Sequence, residues 1–276
     1  MISVRFSGGL GNQMFQYACG RSLGQKNGLN YVIADLSFYQ KKDWNKTTSR
    51  EFELGVFNIN IVRKNIPLSV YFKIAGLKNY KEINSGFDGR ILSLVGNVEI
   101  EGYWQSERYF KNIEEIIRKE FTFKPAINKK NKEILGKIEK SNSVSIHVRR
   151  GDYVNDPKIR KVHGVDLSGY YQKAIGYINR KIKAPKYFVF SDDIDWCKSN
   201  LKLRGETYFV DHNKENKSYE DMRLQSNCKH NIIANSSFSW WGAWLNSNPG
   251  KIVLSPKKWY KRKNPKELIP QEWLRI

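Results

Sequence analysis

A chain of 276 residues, 40% hydrophobic and 13% aromatic, can bury a real core as one large domain or two small ones, which excludes a disordered chain. Lys and Arg number 48 against 27 Asp and Glu, a formal charge of +21 that favours nucleotides, nucleic acid or an acidic membrane face. Much of the excess is lysine scattered beside asparagine and isoleucine, so the charge by itself selects no partner. Three widely spaced cysteines (Cys19, Cys197 and Cys228) with no Cys-x-x-Cys argue against a disulfide framework or a zinc site and fit a reducing cytosol. The amino terminus shows no signal-peptide architecture and no apolar run is long enough to span a bilayer, so a cytoplasmic protein is expected.

Ile2 to Phe6 reads as a short strand, Ser7-Gly8-Gly9-Leu10-Gly11-Asn12-Gln13 as a glycine-rich turn, and Met14 to Gly24 as a helix burying Phe15, Ala18, Cys19 and Leu23. Strand, glycine turn, helix is how a Rossmann-like half begins, although the turn matches a dinucleotide fingerprint poorly and tight helix–strand packing explains its glycines equally well. Tyr31 to Ala34 reads as a second strand, residues 35–65 as loops, and Leu68 to Leu77 as a short helix. Val98-Glu99-Ile100 is a strand leading into Glu101-Gly102-Tyr103-Trp104-Gln105-Ser106, where Ser106 is placed to cap a helix over residues 107–119. A lysine-rich helix over residues 128–140 reads as the connection between two halves, 1–140 and 141–276.

From Ser143 the pattern becomes regular βα alternation. Strands are predicted at 144–148, 187–190, 207–210, 231–234 and 252–254, with helices at 168–183, 194–201, 218–226 and 238–246. Strands separated by helices of this length give a parallel sheet. Three of its strand ends carry polar clusters: His147/Arg149/Arg150/Asp152, Ser191-Asp192-Asp193-Ile194-Asp195, and Asn235-Ser236-Ser237-Phe238-Ser239-Trp240-Trp241. All three fall on one edge of the sheet, where open α/β sheets bind ligands.

Two adjacent arginines at that edge suit a diphosphate, because each guanidinium is a permanently charged fork of donors. Arg150 paired with Asp152 on a surface is the bland account of the same residues. Asp192 or Asp193 is equally placed to cap the next helix, and Asp193-Ile194-Asp195 also spells an Asp-x-Asp metal motif. Asn235-Ser236-Ser237 sits where a helix amino terminus offers free N–H groups and a positive dipole end to a phosphate. Trp240, Trp241 and Trp244 read as core rather than as a sugar platform.

Gly8-Gly9-Leu10-Gly11-Asn12-Gln13-Met14-Phe15-Gln16-Tyr17-Ala18 resembles the amino-terminal signature of the family 11 glycosyltransferases, the α-1,2-fucosyltransferases. His147-Val148-Arg149-Arg150-Gly151-Asp152-Tyr153 is similar to that family's donor motif, and Phe190-Ser191-Asp192-Asp193, Asn235 to Trp241 and Gly102 to Ser106 resemble three further blocks in family order. The resemblance implies a GT-B-like α/β fold of two Rossmann-like halves, with the donor site on the carboxyl-terminal parallel sheet. It implies an inverting galactoside α-1,2-fucosyltransferase that moves L-fucose from GDP-β-L-fucose to the 2-hydroxyl of a terminal β-galactose. By that similarity Arg149 and Arg150 hold the diphosphate. His147 with Asp192 or Asp193 contacts ribose or guanine, and Asn235, Ser236, Ser237 and Phe238 cradle phosphate. Asn12, Gln13 and Gln105 face the acceptor. Asp152 is the candidate general base by position.

GDP-fucose is a substrate in this reading, and no cofactor and no metal are expected. The remaining implications are O-antigen or other surface-glycan synthesis and a lipid-linked β-galactoside acceptor; the charge of +21 without a spanning segment adds the expectation of peripheral contact with an anionic membrane. The alternatives are another NDP-sugar transferase on the same scaffold, a non-catalytic glycan binder, and a nucleic-acid-binding protein; the last predicts a concentrated basic patch with interleaved aromatics that the sequence lacks.

Overall fold

A computed structural model describes residues 1–40, 50–63, 76–83, 86–262 and 264–276. The chain divides into two compact units. The first holds Met1–Pro125 and Pro265–Pro270; the second holds Ala126–Asn264 and Gln271–Ile276.

In the first unit, five parallel strands lie in the order β3-β2-β1-β5-β4: β1 (Ile2–Arg5), β2 (Val32–Asp35), β3 (Ile61–Arg63), β4 (Lys78–Lys81) and β5 (Val98–Glu101). Helix α1 (Leu10–Lys26) is buried over most of its circumference from Leu10 to Gly24. It begins four residues earlier than the glycine-rich sequence suggests. Part of the reason lies outside the helix: the otherwise orphan N–H of Leu10 donates to the Glu53 carboxylate at 2.8 Å, a cap that no local motif could announce.

The described residues of the stretch 35–65, expected to be loops, include a helical turn at Ser37–Gln40, a 3₁₀ turn at Leu54–Val56 and strand β3. Strand β3 has only three residues and forms by pairing with β2, so it leaves little local signal. β4 was likewise not anticipated, and its residues are largely exposed. The helix expected over Leu68 to Leu77 falls mostly outside the described residues. Ser106 does cap, accepting from the N–H of Arg108, but it caps a 3₁₀ turn (Glu107–Tyr109); the α-helix, α2, covers only Glu114–Glu120.

The second unit is a six-stranded parallel sheet in the order β11-β10-β9-β6-β7-β8. Its strands are β6 (Asn142–Val148), β7 (Pro185–Ser191), β8 (Thr207–Val210), β9 (His230–Ile232), β10 (Val253–Ser255) and β11 (Leu274–Arg275). Helix α3 (Lys129–Glu139), expected as a connector, belongs to this unit. Asn128 caps it, accepting from the N–H of Asn131.

Alternation along β6 and β7 decides the layering. Val144, Ile146, Val148, Tyr187 and Val189 pack against α6 (Ser168–Lys181) through Tyr170, Tyr171, Ala174, Ile175 and Ile178. Phe188 and Phe190 point the other way, towards Ile138 of α3 and Leu224 of α8 (Ser218–Asn227). With both faces covered, β6 is buried from Ser143 to Val148, as parallel strands are. Each such large apolar side chain contributes on the order of 2 kcal/mol through burial.

Helix α9 (Ser237–Leu245) carries Trp240, Trp241 and Trp244 at 0%, 0% and 3% exposure, with Trp240 also 5.3 Å from Trp273. These rings are core. Cys19, Cys197 and Cys228 are buried free thiols. Two helices not anticipated, α4 (Gly151–Asn155) and α5 (Pro157–His163), fill the link between the arginine pair and α6. Helix α7 (Ile194–Asn200) follows β7.

Candidate functional site

The carboxyl ends of three neighbouring strands, β9, β6 and β7, bring the polar clusters together. Arg149 follows β6 directly. Its Nη2 donates to Oδ1 of Asp152 at 2.6 Å, and its Nη1 lies 2.9 Å from Oδ2 of Asp192. Burial lowers the Arg149 pKa, but Asp192 and Asp152 together outweigh it and the net shift is upward, so the cation is secure. Arg150 turns the other way. Its Nε donates to Asp193 at 3.0 Å and its guanidinium carbon sits 4.3 Å from the centre of the Trp196 ring.

Asp192 binds both arginines at once, because its other oxygen accepts the backbone N–H of Arg150 at 2.8 Å. Asp193 caps α7 by accepting from the N–H of Trp196, as a capping residue should. Asp195, the other half of the Asp-x-Asp match, has a side chain 97% exposed that lies 3.6 Å from Lys198. The two carboxylates therefore serve different partners, and no cluster of three metal-ligating side chains occurs among the described residues. Asp152 pairs with Arg149, where the bland account of these residues set it beside Arg150.

His147, 7% exposed, stands beside Phe238 with ring centroids 5.5 Å apart. Burial, reinforced by Arg149, drives its pKa down to about 3, so the ring is neutral. Its Nδ1 is buried with no hydrogen-bond partner, an exception among buried polar groups. Ser236 is the N-cap residue of α9, yet its side chain makes no capping hydrogen bond there, and none among the described residues is seen to do so. The helix therefore presents its first N–H groups and dipole end to the same edge as the arginines; Ser236, Ser237 and Phe238 supply that turn.

Asn235 is also tied into the second unit. It is 1% exposed, and its amide donates to the carbonyls of His163 and Trp259, each at 2.9 Å. It ties α5 and the loop after β10 to β9 and so shapes the site from behind. The Tyr153 hydroxyl donates to the Asn235 carbonyl at 3.3 Å, and the Tyr153 ring stacks on His163 at 4.9 Å.

A cavity of about 230 Å³ opens beside the arginines, bordered by Tyr153, Arg160, Asp166, Tyr171 and Trp196. Sequence reasoning missed Arg160 and Trp196. Their helices were readable only in part, and nothing local announces that α5 folds back to this edge.

In the first unit, Oδ1 of Asn12, near the start of α1, accepts from the Gln105 amide at 2.8 Å. Gln13 is 0% exposed and its amide is consumed: Nε2 donates to the carbonyls of Gly8 and Glu51, and Oε1 accepts from the N–H of Glu53. It braces the turn from inside, whereas Asn12 is half-buried and can present a side chain. Burial raises the Glu53 pKa. Burial likewise raises that of Glu82, although two backbone N–H groups pull against it.

Two all-parallel α/β units, one carrying paired arginines and an uncapped helix terminus at its strand ends, make this a GT-B-like protein of the glycosyltransferase class. The chain belongs to glycosyl transferase family 11, whose model matches residues 1–276. It is 36% identical to an alpha-1,2-colitosyltransferase of Escherichia coli over 299 residues, covering 100% of this chain and 99% of that protein. It is 34% identical to the O-antigen biosynthesis glycosyltransferase WbnK of Escherichia coli, covering 98% of each. It is 28% identical to galactoside 2-alpha-L-fucosyltransferase Sec1 of Mus musculus, covering 89% of this chain and 64% of that protein. Among solved structures, its fold is similar to that of NodZ alpha-1,6-fucosyltransferase soaked with GDP-fucose (TM-score 0.52, 13% identity, 90% of this chain and 96% of that one). It is also similar to Arabidopsis thaliana FUT1 in complex with GDP (TM-score 0.54, 11% identity, 94% and 71%).

Proposed function

We propose that the protein is an inverting galactoside α-1,2-fucosyltransferase that moves L-fucose from GDP-β-L-fucose to the 2-hydroxyl of a terminal β-galactose in surface-glycan or O-antigen assembly. The observation that carries the reading is the meeting of Arg149, Arg150 and the uncapped α9 terminus at the ends of β9, β6 and β7. As the sugar leaves, negative charge builds on GDP, and preorganised cations and N–H donors aimed at that charge are usually the largest catalytic contribution.

Arginine has five N–H donors. Asp152 and Asp192 fix the plane of Arg149 and leave donors over for a phosphate. Spent in this way, Asp152 is better suited to orienting Arg149 than to accepting the acceptor's proton. His147, kept neutral, contacts the nucleoside without adding charge. The guanine and ribose contacts also draw on Asp192 or Asp193. Asn12 and Gln105 belong to the acceptor side. No metal or cofactor takes part in this scheme. The protein acts in the cytoplasm at the inner membrane face on a lipid-linked acceptor; among the described residues no helix is long and apolar enough to cross a membrane.

A second reading, transfer of colitose from its nucleotide-linked form, is favoured by the 36% identity to the colitosyltransferase. Colitose lacks the 3-hydroxyl of fucose, and a site built to bond a hydroxyl rejects the analogue without it strongly. Incubation with each donor and a panel of β-galactosides, read by mass and by NMR of the linkage, separates the two. Transfer of fucose to the 2-hydroxyl is expected. A bond to the 3- or 4-hydroxyl, or transfer of colitose alone, refutes the fucosyl reading.

A further inference from the structure

After β5 the chain runs Gly102-Tyr103-Trp104-Gln105-Ser106, and Trp104 has φ +53°. That is the left-handed region, which a bulky residue rarely adopts. Strain of this kind persists where the surroundings over-determine it, and such residues gather at ligand sites.

The surroundings here are specific. Glu82 accepts the N–H of Tyr103 on Oε2 at 2.7 Å and the N–H of Trp104 on Oε1 at 3.2 Å. The Trp104 indole is 0% exposed, with the rings of Tyr80 and Tyr109 at 6.2 and 5.6 Å. Gln16 donates to the Gly102 carbonyl at 3.0 Å, and the N–H of Ser106 returns to the Trp104 carbonyl at 2.8 Å. A Cβ on residue 102 would stand 2.4 Å from Cβ of Glu82, so only glycine lets the carboxylate lie this close to the loop.

The kink divides two adjacent aromatic rings. Trp104 goes inward and Tyr103 outward, at 46% exposure. The outward ring stands at the carboxyl end of a parallel strand, where such sheets bind ligands. Two residues on, the Gln105 amide donates to Asn12 at 2.8 Å, and in the same unit the Tyr39 hydroxyl donates to the Gly8 carbonyl at 2.9 Å. An exposed ring on a braced backbone, at a sheet edge where Asn12, Tyr39 and Gln105 follow the carboxyl ends of β1, β2 and β5, matches a pyranose: the ring meets the apolar C–H face and the polar groups meet hydroxyls.

We propose that Tyr103 is the stacking platform for the terminal sugar of the acceptor, and that Glu82 is the positioning residue that holds it out. The inference rests on the galactoside reading above and adds the surface that recognises the acceptor.

The test is steady-state kinetics, with donor and acceptor varied separately, on wild type, Tyr103→Phe, Tyr103→Ala, Glu82→Gln and Glu82→Ala. Tyr103→Ala should raise the acceptor KM about tenfold while leaving the donor KM and the acceptor-free hydrolysis of GDP-fucose unchanged. Tyr103→Phe keeps the ring and should stay near wild type. Glu82→Ala should reproduce the acceptor defect without touching the donor, and Glu82→Gln, which keeps one acceptor oxygen, should fall between. An unchanged acceptor KM in Tyr103→Ala, or an equal rise for donor and acceptor, overturns the platform. A folded Glu82→Ala with a normal acceptor KM overturns the positioning role. Tyr103 is exposed, so its variants test the platform even if Glu82→Ala unfolds. If wild type transfers to no galactoside, the functional reading falls and the platform with it; an active wild type beside a normal Tyr103→Ala sinks the platform alone.

Discussion

A Cβ placed on Gly151 would stand 2.6 Å from Oδ2 of Asp192. That oxygen is the one facing Nη1 of Arg149, while Oδ1 takes the backbone N–H of Arg150. The absence of a side chain at residue 151 thus lets one carboxylate hold both arginines. Gly151→Ala should push Asp192 aside and let Arg149 swing. A misplacement of about 1 Å can cost on the order of 10² in rate, so a fall of that size in kcat/KM for the donor is expected, with the melting temperature little changed. Donor kinetics beside thermal unfolding would check it, and a donor kcat/KM within threefold of wild type would show that Asp192 does not govern the arginines.

His147 gives a pH prediction whose sign follows from its burial. Its pKa falls from 6.5 in the exposed state to about 3 in the fold. Between those values the unfolded chain binds a proton that the folded chain refuses, so this group favours unfolding as pH drops below about 6.5. The slope is at most about 1.4 kcal/mol per pH unit, and the effect is absent above 6.5. Urea unfolding of wild type and His147→Gln at pH 7.5 and 5.5 should show wild type losing more stability than the variant. Equal losses would mean that the ring is protonated or exposed in the fold.

How much of this was readable in the sequence follows from where each signal resides. The second unit was legible because β6 and β7 are covered on both faces and their helices are regular, so period and spacing survive in Val144, Ile146, Val148 and Phe190. The first unit was less so. Strand β3 has three residues held by pairing to β2, and the start of α1 depends on Glu53, 43 residues away. At the site, residue types announced Arg149, Arg150 and the α9 terminus. Which carboxylate would serve which arginine is a tertiary fact: Asp152 reaches Arg149, and Asp193 reaches Arg150. Asn235 and Gln13, which the family resemblance places towards donor and acceptor, have their amides bonded to backbone carbonyls, partners that no local pattern could announce.

The formal charge of +21 carries a prediction about surfaces. Basic side chains near an anionic bilayer contribute roughly 1 kcal/mol each, and salt weakens them. Co-sedimentation with phosphatidylserine-containing vesicles should be strong at low salt and lost at high salt, with little binding to neutral vesicles. Equal binding to both kinds of vesicle would show that the charge has no membrane role.

The last prediction sets Arg149 against the Asp-x-Asp match. Arg149 is braced by Asp152 at 2.6 Å and Asp192 at 2.9 Å, a geometry that fixes the plane of its fork. Lysine keeps the charge but not the fork, so Arg149→Lys is not a conservative change at a diphosphate. Losing one preorganised contact of this kind costs roughly 10²–10³ in rate, and Arg149→Ala, which also leaves two carboxylates without their cation, should be worse. If the arginines supply the charge that a divalent ion supplies in other transferases, turnover survives EDTA. Asp195, its side chain 97% exposed beside Lys198, should then tolerate alanine with kcat within about twofold, as surface changes usually do. A metal held by Asp193 and Asp195 predicts the reverse: EDTA abolishes turnover, Mn²⁺ or Mg²⁺ restores it, and Asp195→Ala is as damaging as Arg149→Ala. One chelator titration on wild type, Arg149→Lys and Asp195→Ala distinguishes these outcomes, and near-normal turnover of Arg149→Lys would refute the role given to its fork even in an active fucosyltransferase.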